Sequence, residues 1–184
     1  MTRRVLAGLV LAGVVLAGVV LAGVVGAACG GGDGDGGDGG SEHEGRPLVG
    51  EIAPAIEAVE RSLGGAQEYF EINADERLVN LFVATDDGAT VTPHLYLDGE
   101  IQPPAPPRSV EAGTTFTADD VALDADVVLD QVGDELPDST LTSFVIVVGP
   151  DDRVRYEVLA RSPRGGTLAV EVSGAGEVIG VEPL

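Results

Sequence analysis

The chain has 184 residues, a single cysteine, and 31 acidic against ten basic residues, which gives a formal net charge of −21. Phosphate backbones are bound through basic surfaces, so this charge balance excludes nucleic acid as a partner. One cysteine cannot form an intramolecular disulfide, so the fold must rely on packing alone.

The N-terminus has the pattern of an export signal. Arg3 and Arg4 precede an apolar run over residues 5–28, which ends in small residues and is followed at once by Cys29. This pattern resembles the lipobox of prokaryotic lipoproteins, in which residues 1–28 would be a cleaved signal peptide. The resemblance implies that Cys29 is lipidated and holds the protein at the extracytoplasmic face of the cell membrane. An ordinary signal peptide and an uncleaved membrane-spanning anchor are the alternatives.

Residues 29–46 contain the cysteine and a tract rich in Gly and Asp. A segment of this composition cannot bury apolar surface, so we expect a flexible tether. Its aspartates match neither the spacing of an EF-hand loop nor that of a calcium-binding repeat. We therefore expect no metal site and no cofactor.

A first structural cycle is predicted over residues 47–102. Apolar residues recur at helical spacing from 52 to 63, and Gly64 and Gly65 end that helix. Three strand-like runs follow, and the sequence Asp98-Gly99 after the last one predicts a hairpin. The runs cover residues 68–72, 77–85 and 90–97.

A second cycle is predicted over residues 117–184, after a spacer at 103–116 that begins with a proline-rich run. A helix is predicted from 117 to 136, and four strand-like runs follow it. These runs cover residues 141–148, 153–161, 167–173 and 177–181.

The two cycles align at an offset of 76 residues, which matches Phe82 with Val158 and Ala84 with Ala160. We therefore predict an α+β fold of tandem αβββ repeats, in which each helix packs on an antiparallel sheet. This order of elements resembles the β-lactamase inhibitor protein and PepSY-type envelope modules. The alternative is a single α+β domain with one larger antiparallel sheet.

Two groups of residues are candidates for binding. Arg153, Arg155 and Arg161 share strand parity, so they are predicted to lie on one sheet face. Their guanidinium groups could hold carboxylates of a partner or neutralise nearby Asp and Glu of the same chain. In the first cycle, the offset directs His94 and Tyr96 away from the helix. Together with Val79, Leu81 and Val83 they would form an apolar and aromatic surface, which either binds a partner or packs on the other repeat or on the proline-rich spacer.

No catalytic constellation is present in the sequence: it has no lysine, no nucleophile elbow and no phosphate-binding glycine loop. We therefore expect a non-enzymatic module, anchored to the membrane by lipid, that binds a protein or another envelope component. Two alternatives remain. One is a carrier of a small hydrophobic ligand between helix and sheet; the other is an envelope enzyme that uses a perturbed carboxylate or His94.

Overall fold

The computed structural model of the protein describes residues 45–184. The predicted signal peptide, Cys29 and the tether up to residue 44 lie outside the described residues. Within residues 45–184, the chain forms two α-helices and ten β-strands. In chain order they are α1 (Ile52–Leu63), β1 (Glu68–Ala74), β2 (Leu78–Thr85), β3 (Thr90–Leu97), β4 (Glu100–Ile101), β5 (Arg108–Ser109), β6 (Phe116–Thr117), α2 (Val128–Glu135), β7 (Thr140–Val148), β8 (Val154–Arg161), β9 (Thr167–Val172) and β10 (Val178–Pro183).

All ten strands belong to one antiparallel sheet with the order β10-β9-β8-β7-β1-β2-β3-β4, while β5 pairs with β3 and β6 with β1. The α+β class is therefore confirmed, in the form of the single larger sheet that the sequence left as an alternative. The two halves of the sheet meet where residues 71–74 of β1 pair with residues 144–147 of β7.

Both helices cover the same face of the sheet, which we call the inner face. Their buried side chains join the inward-pointing residues of β1, β2, β7, β8 and β9 in one continuous core. The helix residues in that core are Ile52, Ala55, Ile56 and Val59 of α1 and Val128, Leu129 and Val132 of α2. Because one core serves both helices, the opposite side of the sheet has no helix on it; we call it the open face.

Helix α1 has the predicted bounds, because its apolar residues form one stripe and a glycine ends it. Gly64 has a φ of 86°, a left-handed conformation that glycine adopts without steric cost. The amides of Gly64 and Gly65 both donate to the carbonyl of Glu60, at 2.9 Å each. These bonds satisfy a carbonyl that the end of the helix would otherwise leave unpaired.

The helix predicted over residues 117–136 is shorter than expected, because its first part bonds to the second half of the sheet instead. The Asp120 carboxylate accepts the Thr117 amide at 2.8 Å and holds a single 3-10 turn at Ala118–Asp120. The chain then leaves helical geometry: the Ala122 amide donates to the Tyr156 hydroxyl at 2.7 Å, and the Asp124 amide to the Gly174 carbonyl at 2.7 Å. Tertiary bonds thus override helical tendency until residue 128.

The proline-rich segment predicted as a spacer lies along β3 and forms the outer border of the sheet. The amides of Gln102 and Ala105 donate to the carbonyls of Leu95 and Pro93, at 2.8 and 3.0 Å. Four of the residues from 103 to 107 are prolines, which have no N–H to offer a further strand. This segment therefore closes one edge of the sheet.

The leading strands of the two halves have the same burial pattern. In β1 the buried residues are Tyr69, Ile72 and Ala74; in β7 they are Leu141, Phe144 and Ile146. Each strand has an irregularity between its first two buried residues, at 69/71 and at 141/143. Tyr69 therefore corresponds to Leu141 and Ile72 to Phe144.

Candidate functional site

The first half does have an apolar surface on the open face, but the residues that form it are not the predicted ones. Val79, Leu81 and Val83 are 0, 0 and 1% exposed and belong to the core on the inner face. The residues between them in sequence, Leu78 and Phe82, lie on the open face instead. Successive side chains of a strand alternate between faces, so an error of one residue exchanges the two sets.

The error comes from the assumed offset of 76 residues. Leu81 pairs with Ile72, and Val158 pairs with Phe144. Since Ile72 corresponds to Phe144, the counterpart of Val158 is Leu81 and not Phe82. The offset was fixed on the polar turns before β2 and β8, but the first turn spans three residues, 75–77, and the second spans five, 149–153.

His94 and Tyr96 also lie on the inner face, contrary to the predicted exposure. They pair with Leu81 and Val79 and are 4% and 8% exposed. The Nδ1 atom of His94 has no hydrogen-bond partner among the described residues, and burial lowers the pKa of its imidazole. In this fold neither side chain forms an exposed contact surface.

The first half of the open face is mostly apolar. Its partly exposed side chains on β2 and β3 are Leu78, Phe82, Ala84, Pro93, Leu95 and Leu97. Leu95 is 37% exposed, a large value for a leucine in a sheet. Val145 and Val147 of β7 share the parity of the open face, but Glu71 and Asn73 of β1 lie between them and β2.

The open face of β2 includes one polar residue, Asn80. Asn80 lies between Leu78 and Phe82 on the open face and donates to the Asn73 side chain at 2.8 Å. Asn73 in turn donates to the Glu71 carboxylate at 2.6 Å. Asn80 is the sequence feature that could have identified this face, because it is the one polar residue between 78 and 84 and shares parity with Leu78 and Phe82.

The second half of the open face is charged. Arg155, Glu157, Leu159 and Arg161 alternate with the buried residues of β8, and Glu171 and Glu182 extend the charged area onto β9 and β10. The prediction that the arginines share a face is thus confirmed for Arg155 and Arg161. Arg153 is exposed and precedes the first residue of β8.

The three arginines differ in what surrounds them. Arg155 lies 3.4 Å from the carboxylate of Asp151 and 3.4 Å from that of Glu171. Arg153 and Arg161 have no ion pair within 4.0 Å among residues 45–184. Arg155 therefore neutralises carboxylates of its own chain.

Two glutamates face each other at the centre of the charged area. Glu157 and Glu171 are directly paired across β8 and β9. Partial burial raises the pKa of Glu157, and the charges of Glu171, Glu182 and Glu71 raise it further against the opposing effect of Arg155. Like charges in this arrangement destabilise a strand pair, and sequence analysis had not singled out either residue.

Two grooves lie elsewhere on the surface of the described region. One, with a volume of about 600 Å³, lies between residues 45–46 and the end of α2, where Arg46 pairs with Asp130 at 2.7 Å. The other, about 630 Å³, is lined by residues 122–126 and 173–175. Neither contains His94 or Glu157.

Residues 45–184 contain no group of three or more potential ligand side chains placed to hold a metal ion. Over the same residues, neither helix has the length and apolar character needed to cross a bilayer.

The overall fold is similar to that of a known structure. It matches the crystal structure of a putative lipoprotein from Clostridium difficile 630 with a TM-score of 0.51 and 10% sequence identity. The match covers 76% of this chain and 99% of the other, and at this identity it shows a shared fold alone. No protein-family model matches the chain, and no curated protein matches it.

Proposed function

We propose that this chain is a lipid-anchored protein of the cell envelope that binds a partner through the open face of its sheet and catalyses no reaction. The observation that carries this proposal is the open face itself. A sheet with both helices on one side exposes a broad surface on the other, and here half of that surface is apolar. Contiguous apolar surface on a soluble domain is a mark of an interaction site.

Two features support the lipid anchor. Cys29 follows an apolar run and small residues, as in lipoprotein signals. The Clostridium difficile protein with the similar fold is described as a putative lipoprotein. Intact-mass measurement on protein extracted from membranes tests the anchor. We expect a mass that lacks residues 1–28 and includes acyl chains, and an unmodified chain beginning at Met1 would refute it.

A binding role accounts for the perturbed groups better than an enzyme does. The enzyme alternative expects a cleft that holds a perturbed carboxylate or His94. The pKa values of Glu157 and His94 are both shifted by burial, but Glu157 lies on the open face and His94 on the inner face. The sheet separates the two side chains, so they do not form one acid–base pair.

The tandem αβββ arrangement is part of this proposal. Helix α1 is followed by β1–β3 and the two-residue β4, and α2 by β7–β10; the leading strands share a burial pattern and the position of an irregularity. We infer that duplication of one unit produced a sheet twice as wide as the unit's own. The widened open face is then the surface on which binding depends.

Site-specific photocrosslinking in the intact cells that make the protein tests the binding face. A photoreactive phenylalanine analogue replaces Phe82 on the open face, and as a matched control it replaces Leu63, which is 47% exposed on α1. We expect a discrete crosslinked product from position 82 that position 63 does not give. Equal crosslinking at both positions, or none at 82, would refute the open face as the binding site.

A further inference from the structure

We infer that the partner is a protein whose contact surface is apolar in one part and basic in the other, with lysine or arginine set against Glu157 and Glu171. This inference rests on the proposed function and deepens it, because it gives the chemistry of the partner. It reverses the prediction from the sequence, in which the arginine group was to hold carboxylates of a partner.

Charge complementarity is the first argument. On the open face of β1 and β8–β10, carboxylates outnumber guanidinium groups: Glu71, Glu157, Glu171 and Glu182 against Arg155 and Arg161. Arg155 is already paired with Asp151 and Glu171, and its side chain is 32% exposed. The charge offered to a partner over this area is therefore negative.

The second argument is the arrangement of the two central glutamates. Glu157 and Glu171 are direct cross-strand neighbours, although a sheet would be more stable with an opposite or neutral residue at either position. Arg155 already lies 3.4 Å from Glu171 but is shared with Asp151, so a partner's cation set against Glu157 would relieve the repulsion further. Local arrangements that cost stability are typical of functional surfaces.

The apolar neighbours argue for a protein and not for a free cation. Val145 is adjacent to Glu157 in the sheet, and Phe82 and Leu95 form a second apolar area on β2 and β3. Desolvation by an apolar partner strengthens a nearby ion pair, because the pair is then less screened by water and salt. A partner surface with both apolar and basic groups would contact the apolar part and the charged part of the open face at the same time.

Charge reversal combined with photocrosslinking tests this inference in the full-length, membrane-bound protein. The photoreactive analogue at position 82 is the probe, and Glu157→Lys and Glu171→Lys are introduced singly. Glu57→Lys is the matched control, since Glu57 is 75% exposed on the helix side and changes the net charge equally. We expect each open-face variant to lower the yield of the crosslinked product by about tenfold and the control to leave it unchanged.

Two further measurements make the outcome decisive. Glu157→Gln and Glu171→Gln, which remove charge without reversing it, should each lower the yield by about threefold. Glu157→Gln should also raise thermal stability slightly, because Glu157 has no ion pair within 4.0 Å among the described residues. A photoreactive analogue at Leu159, beside Glu157 on the open face, should crosslink a partner segment that contains lysine or arginine, as read by mass spectrometry. A misfolded variant would lose stability, whereas the inference requires the stability of Glu157→Gln to rise as binding falls.

The outcomes separate the inference from the proposed function. A product from position 82 that survives or increases with Glu157→Lys, or whose partner segment is acidic, overturns the basic partner and leaves the binding face in place. An equal loss with Glu57→Lys also overturns it, because the effect would then follow net charge alone. No product from position 82 in the parent protein overturns the binding face itself.

Discussion

The two halves of the sheet resemble each other on the inner face and differ on the open face. On the inner side, β1–β2 and β7–β8 present buried apolar residues in matching positions. On the open face, β2 and β3 present Leu78, Phe82 and Leu95, whereas β8 and β9 present Arg155, Glu157 and Glu171. Folding constrains the inner face of both halves alike, so the open face is where each half can differ for function.

The largest expected loss of stability follows from removing a large side chain from the core that both halves share. Phe144 is completely buried, and Phe144→Ala should lower the free energy of unfolding by about 4 kcal/mol because it loses apolar contacts and leaves a cavity. Phe82→Ala, on the open face, should cost about 1 kcal/mol or less. Urea unfolding followed by circular dichroism measures both, and equal losses would contradict the division of the two faces.

The inner face of the first half also contains a group that depends on pH. Burial lowers the pKa of His94 below its ordinary value of 6.5, so the unfolded chain takes up a proton before the folded one does. The stability associated with neutral His94 is therefore present above that value and is lost as the pH falls below it.

Urea unfolding at about pH 7 and about pH 5 measures this effect. The parent protein should lose more stability on acidification than His94→Leu, which cannot take up the proton. Identical losses in the two proteins would show that protonation of His94 is not linked to unfolding.

The sequence established the elements of the fold well but not their faces. The apolar spacing of α1 and the alternation within the long strands are local, so seven strands and one helix were predicted close to their observed bounds. Which side of β2 is buried depends on its register against β1, where Leu81 pairs with Ile72, and the polar turn residues that fixed the offset of 76 do not indicate that register. His94 and Tyr96 were assigned to the wrong face for this reason.

The charged part of the candidate site could not be predicted from the sequence, because it also depends on strand register. Glu157 and Glu171 are separated by a turn in sequence, and their pairing follows from the register of β8 against β9. In a chain with 31 acidic residues, no single glutamate is distinguished by composition. The arginine group was found because arginines are few, and the structure shows Arg155 paired within its own chain.

The smallest expected effect on stability concerns Glu157, in the charged half of the open face. The pKa of Glu157 is raised above 4.5 in the folded protein, so its ionised form costs stability at neutral pH. Glu157→Gln should raise the free energy of unfolding by about 0.5 kcal/mol at neutral pH. The gain should vanish at a pH below 4.5, where the parent glutamate is protonated in both states.

Thermal unfolding at the two pH values measures this gain, and Glu57→Gln on the exposed side of α1 is the control. A stabilisation that persists in acid, or one that the control reproduces, would rule out repulsion at the β8–β9 pair as its cause.

The prolines along β3 also limit how copies of this protein can assemble. A fibre that grows by strand pairing needs an unpaired strand edge at both ends of the sheet in every subunit, because each copy must pair with two neighbours. Here four prolines among residues 103–107 lie along one border, and β10 is the terminal strand at the other border. Pairing between the β10 strands of two copies would join them and then stop, so strand pairing between copies should end in dimers and not in fibres.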